Sequence, residues 1–164
     1  QGLVDKVIGS NAGCLVLFCS PKVSLRLFTL VRNMKPCIPV FGSLSVLNED
    51  VLTDSELKRF DGGLQVTSTG WEPKKCRDFV SEYEKKYGRY PGMVAAYAYD
   101  GMGLIIEAAR RAGSDDRARI QKALSEMTFS GITGNIRFDE RGNRSDNFRV
   151  IGTTGGLPCE AMKN

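Results

Sequence analysis

The apolar positions of this chain change period along its length. Leu3, Val4, Val7 and Ile8 fall at helical spacing and are stopped by Ser10-Asn11-Ala12-Gly13, which predicts the closing turns of a helix. Cys14–Cys19 is an unbroken apolar run bounded by turn residues, the pattern of a buried, parallel strand. Ser20 can then cap a helix whose first position suits Pro21. Leu25, Phe28, Leu30, Val31 and Met34 give that helix a face to about Asn33, and Pro36 ends it. Ile38–Ser43 reads as a second short strand. Leu44–Phe60 reads as a loop with one or two helical turns, and Gly62–Thr69 as a third strand. Helix and strand thus alternate, which predicts an α/β fold with a parallel sheet. Ligands bind such sheets at the carboxyl ends of the strands, here the loops Ser20–Lys22, Gly42–Val46 and Ser68–Trp71.

The second half is mostly helical. Phe79, Val80, Tyr83 and Tyr87 mark an amphipathic helix. A longer one opens around Ala95, carries Tyr97, Tyr99, Asp100, Gly101 and Gly103 early, and ends at Gly113. Tyr97 and Tyr99 are two apart and point to different sides. Asp100 is expected near the helix start, where it favours the dipole and bonds free amides. The two glycines permit close packing. Ser114 is the expected N-cap of the next helix. The pattern ends with two strands joined by a turn at Asp139–Asn143 and a tail from Leu157.

Composition narrows the chemistry. The 164 residues suffice for one ordinary domain with a core, and the net charge of +4 is spread among acids rather than clustered, which argues against nucleic acid. No apolar run approaches a membrane span. The chain has no histidine, so the commonest general base and metal ligand are missing. Cys14, Cys19, Cys37, Cys76 and Cys159 include no CxxC pair and read as small buried residues; no metal or cofactor is expected. There is no Walker loop, GxSxG elbow or EF-hand loop, and the partial glycine motif at Gly101–Leu104 follows no strand. No catalytic residue is assigned. The opening QGLVDKVIGSN carries no initiator methionine or signal-peptide pattern, as expected for the interior of a longer polypeptide or after a cloning remnant at Gln1-Gly2.

Tyr87, Gly88, Pro91, Tyr99, Asp100, Gly101, Gly113, Ser114, Gly131, Gly134, Ile136, Phe138, Asp139, Gly142, Asn143 and Arg144 occur in an order that resembles type I periplasmic binding proteins. The branch it resembles most is the branched-chain amino acid (leucine/isoleucine/valine) receptors. The resemblance implies a parallel-sheet, three-layer (Rossmann-like) lobe. Two such lobes close on a ligand, and only the second half of the protein is represented. On that alignment 1–67 and 148–164 belong to the second lobe, and 68–147 to segments returning to the first. Half of each core would then be missing, which points to packing with another portion, a homodimer or a domain swap.

The resemblance also implies a role: extracytoplasmic capture of a small molecule for an ABC permease, or, as the alternative, sensing by the extracellular domain of a signalling receptor. Where amino-acid receptors place a tyrosine and an acid in the second lobe, this chain has Ser20 and Leu44. Leu44 cannot pair an ammonium, so an α-amino acid is disfavoured unless Glu49 or Asp50 substitutes. An aromatic or aliphatic carboxylate fits better, with Ser20, Ser43 and Ser45 as donors. Trp71, Tyr97, Tyr99 and Asp100 complete the expected ligand-binding set, against the plainer reading that they pack and cap.

Overall fold

The computed structural model describes residues 2–69, 71–145 and 148–158. The chain divides into two compact units, Gln1–Ser68 with Val150–Asn164, and Thr69–Arg149.

The first unit is α/β. Helix α1 (Gly2–Gly9) leads to β1 (Leu15–Leu17), α2 (Pro21–Met34), β2 (Val40–Gly42), a 3₁₀ turn (Leu44–Leu47), the single-turn α3 (Asp54–Leu57) and β3 (Leu64–Ser68); β6 (Arg149–Gly152) completes a sheet of order β1-β2-β3-β6. β1, β2 and β3 are parallel, with Leu15 opposite Val40 and Val40 opposite Leu64. Helix α2 turns Ser24, Leu25, Phe28 and Val31 inward. The Phe28 and Phe60 rings meet at 5.0 Å, and Leu17, Val40, Val46, Leu47, Leu64 and Val66 are buried. Each such side chain contributes about 1.5–3 kcal/mol by leaving water. Asp61 fastens the last segment, accepting from the amides of Gly155 and Gly156, while the Thr153 hydroxyl donates to the Phe60 carbonyl.

The second unit packs α4 (Pro73–Tyr87), α5 (Met93–Ala112) and α6 (Arg117–Glu126) with an antiparallel hairpin of β4 (Phe129–Gly131) and β5 (Gly134–Ile136). Leu104, Ala108, Met127 and Ile136 form its core, with Ile120, Leu124, Phe129 and Phe138 against them. Helices α4 and α5 both end on left-handed glycines, Gly88 (φ 65°) and Gly113 (φ 58°), which free the chain to turn without a Cβ clash.

Several expectations fail for local reasons. The run around β1 is not buried throughout: Leu17 is, but Val16 is 49% exposed because β1 is the sheet's edge strand and its side chains alternate, and Phe18, just past the strand, is 83% exposed. Helix α6 is capped by Asp116, which accepts from the Arg119 amide; Ser114 instead accepts from the Asp116 amide in the preceding turn. The last two strands, β5 and β6, flank Asp139–Asn143 in sequence but do not pair across it; that turn closes only the isolated antiparallel bridge Phe138–Arg144. β4 and β5 turn at Ile132-Thr133, and β6 joins the other unit's sheet. The Asp139 turn is a local knot, with its carboxylate accepting from the Arg141 and Asn143 amides. Leu157 is buried rather than part of a tail, and residues 159–164 lie outside the described residues. Among the described cysteines Cys76 alone is buried; Cys14 and Cys37 are exposed and Cys19 is intermediate, while Cys159 lies outside the described residues.

Candidate ligand-binding site

Parallel pairing brings the carboxyl ends of β1 and β2 to one edge of the sheet. Ser20 sits there at the N-cap of α2, with Pro21 at its first position. Its backbone is extended (φ −59°, ψ 152°) and its carbonyl accepts from the Ser24 amide. Its hydroxyl makes no capping bond and is exposed to solvent with the residue. The positive end of a 14-residue helix therefore stands at this edge without a side-chain cap from Ser20. Ser43 follows β2 directly. Its amide donates to the Leu17 carbonyl at 3.4 Å, linking the ends of the two strands. Its hydroxyl lies 2.7 Å from that of Ser45, with half-buried Leu44 between them in sequence. The structure thus gathers Ser20, Ser43, Leu44 and Ser45 at one sheet edge.

Two contacts hold this edge in shape. Ser24, buried in α2, donates to the Cys19 carbonyl at 3.1 Å and fixes the approach to Ser20. Lys22 reaches Glu56 of α3 at 2.8 Å. Glu56 also closes a capping box with Thr53. The Lys22 hydrogen bond first, and the Thr53 amide second, lower its carboxyl to about 2.

The second unit holds the other four predicted residues, and they separate. Buried Trp71 meets Tyr97 edge-on at 6.0 Å and 81°. Tyr99 turns to another side, as expected, and packs on Phe79 at 5.2 Å. It lines a groove of about 570 Å³ with Phe79, Tyr83, Tyr87, Ala95 and Ala98. Asp100 neither caps α5 nor lies in its first turn, because the helix begins at Met93 behind Gly92. The aspartate is 1% exposed, and its carboxylate accepts from the Ile132 amide (2.8 Å), the Thr133 amide (2.8 Å) and the Thr133 hydroxyl (2.7 Å). It holds the β4–β5 turn. Gly131 lets it approach: a Cβ there would come within 2.4 Å of the carboxylate. Gly103 similarly admits the Phe129 ring, whereas Gly101 faces open space.

Sequence reasoning missed the partners of Asp100. Arg144 donates to the Thr133 carbonyl at 2.8 Å and to its hydroxyl at 3.1 Å, and it reaches the Thr69 hydroxyl at 3.4 Å. Thr133 therefore joins a buried anion to a cation, and only the Asp139–Arg144 motif hinted at it. It also missed Glu72, whose carboxylate caps α4 by accepting from the Lys74 and Lys75 amides and is lowered chiefly by the Lys75 amide. Among the described residues no group of three potential metal ligands occurs, and no helix is long and apolar enough to cross a membrane.

A family model described as periplasmic binding protein matches residues 31–153. No curated protein matches significantly. Solved structures do. The branched-chain amino acid transporter substrate binding protein LivJ from Streptococcus pneumoniae, in complex with isoleucine, superposes with a TM-score of 0.73 at 22% identity, over 95% of this chain and 45% of its own. The leucine binding protein LivK from Thermotoga maritima gives 0.69 at 21%, over 94% and 45%. An ABC transporter solute binding protein from R. palustris, in complex with benzoate, gives 0.71 at 18%, over 95% and 44%. The chain spans about half the length of these structures. The shared feature is the α/β fold with its parallel sheet.

Proposed function

The chain belongs to the periplasmic binding protein family, and from that premise we propose that it serves an ABC importer by capturing a small carboxylate between two lobes that close about a hinge. The unit Gln1–Ser68 with Val150–Asn164 is assigned to the second lobe, and Thr69–Arg149 to segments of the first. Capture without chemistry suits a chain with no histidine. Its place of action is extracytoplasmic and its protein partner a permease, both on the strength of the family.

One observation carries the ligand class. The sheet edge offers the hydroxyls of Ser20, Ser43 and Ser45 and an α2 N-terminus that Ser20 does not cap, with an apolar Leu44 among them. Donors and a helix N-terminus stabilise a carboxylate. Leu44 offers nothing to an ammonium, whose desolvation would go uncompensated. Isoleucine and benzoate, the molecules held by two of the similar structures, both carry a carboxylate, and only isoleucine also carries an ammonium. In this reading Tyr99 and Asp100 support the first lobe rather than touch the ligand.

The test is a thermal-shift and calorimetric comparison of benzoate, hexanoate and isoleucine on the full-length product of the gene. Ligand at a hundred times its dissociation constant stabilises the folded state by about 2.7 kcal/mol. Benzoate or hexanoate should shift the transition and isoleucine should not. Preference for isoleucine would show that an acid such as Glu49 or Asp50 meets the ammonium, and would overturn the ligand class. No shift with any of the three would overturn carboxylate capture.

A further inference from the structure

Two segments link the units, one leaving β3 at Ser68–Thr69 and one returning to the first unit at Arg149–Val150. Within the second unit both are fastened to one atom. The Thr69 hydroxyl donates to the Thr133 carbonyl, and so does Arg144 Nη2 at 2.8 Å, from 75 residues further along the chain. A carbonyl oxygen has two lone pairs, and these two donors fill them. Thr133 is itself held, because its amide and its hydroxyl both donate to Asp100 of α5. Backbone bonds steady each segment nearby: the Glu72 amide donates to the Ile132 carbonyl at 3.0 Å, and the Ser145 amide to the Arg137 carbonyl at 2.8 Å. Thr69, Asp100 and Thr133 are 3%, 1% and 0% exposed, so the junction is closed within this chain and needs no cover from another part of the polypeptide.

We propose that the Thr133 carbonyl anchors the hinge, and that Thr69 and Arg144 are positioning residues that make the two linking segments turn with the second unit as one body. The inference rests on the reading that two lobes close about a hinge. A hinge works through a few residues that absorb the change in φ and ψ. With both segments fixed to one carbonyl, that change is confined to the links on the first unit's side of it. Segments loose at this point would rotate independently, and closure would have to order them at a cost in conformational entropy. Fixing them beforehand leaves one path between open and closed. The role belongs to the carbonyl, where the two segments meet, and not to the Thr133 hydroxyl, which joins Asp100 to Arg144 alone.

The experiment is double electron–electron resonance on the full-length product of the gene, without ligand, so the ligand class does not enter it. Nitroxides are placed at K58C in the first unit and K122C in the second, both exposed positions, with the native cysteines replaced by serine or, at buried Cys76, alanine. Wild type should give a narrow distance distribution. T69V keeps the side-chain shape but removes one donor, and R144L removes the other; each should broaden the distribution. T133V keeps the carbonyl and its amide bond to Asp100, so it should lose stability yet stay narrow. S68G loosens the link itself and should broaden the distribution whatever anchors the segments. T69V and R144L as narrow as wild type while S68G broadens would overturn the anchor and leave the hinge standing. T133V broadening as much as T69V would also overturn it, because the effect would then follow stability. If S68G does not broaden either, the hinge reading itself falls and takes the anchor with it.

Discussion

The sheet edge at Ser20 and Ser43 and the turn beneath α5 are both polar, but what answers their polar groups differs. At the turn every partner is internal: the Asp100 carboxylate receives two amides and a hydroxyl, and Arg144 closes over the same threonine. At the edge the Ser20 hydroxyl makes no capping bond, and those of Ser43 and Ser45 address each other. A buried charge with complete hydrogen bonding belongs to the fold. Hydroxyls on loops at the mouth of a parallel sheet stand where such sheets take ligands. The contrast separates Asp100 from the serines with which it is grouped as an expected ligand-binding residue.

The comparison breaks most sharply at Asp100. D100A leaves two buried amides and a hydroxyl without an acceptor and should lower the unfolding free energy by about 3–5 kcal/mol in a urea titration. A loss under about 1 kcal/mol would mean the turn does not depend on it. G131A tests the same closeness from the other side. Its Cβ displaces the carboxylate, at a cost of about 1–3 kcal/mol. T133V removes the group shared by Asp100 and Arg144 and should cost about 1–2 kcal/mol. At the edge the prediction reverses. S20A and S43A should move stability by no more than about 0.5 kcal/mol, yet weaken carboxylate binding about tenfold each in calorimetry.

The smallest effect is a pH dependence. The folded-state value of Glu56 is lowered from 4.5 to about 2 by Lys22 and Thr53. Its contribution is therefore full above pH 4.5 and fades as the pH falls toward 2. E56Q should flatten the acid limb of the stability curve in that window and leave neutral pH nearly unchanged, because the pair is solvent-exposed. An acid limb identical in E56Q would remove Glu56 from the account.

Much of the fold was legible because period and punctuation coincide. Pro21 and Pro36 bracket α2, Gly113 ends α5, and short apolar runs mark β1, β2 and β3. Misreadings came where two signals competed locally. Ser114 and Asp116 both suit an N-cap, and geometry selects the aspartate two residues later. Gly131–Gly134 and Asp139–Asn143 are both tight antiparallel turns; a ladder, β4–β5, forms across the first and only a single bridge, Phe138–Arg144, across the second. Asp100 was visible as a motif residue, but its partners lie more than 30 residues away, and no periodicity reports a contact of that range. The Ser43–Ser45 pair was legible because the β2 loop follows from chain order alone.

The most direct test of the division between edge and turn is benzoate titration of wild type, S43A and T133V, each with its unfolding curve. Binding should fall in S43A at unchanged stability, and stability should fall in T133V at unchanged affinity while the protein remains folded. The opposite pattern, S43A unfolding easily or T133V losing benzoate at full stability, would contradict it.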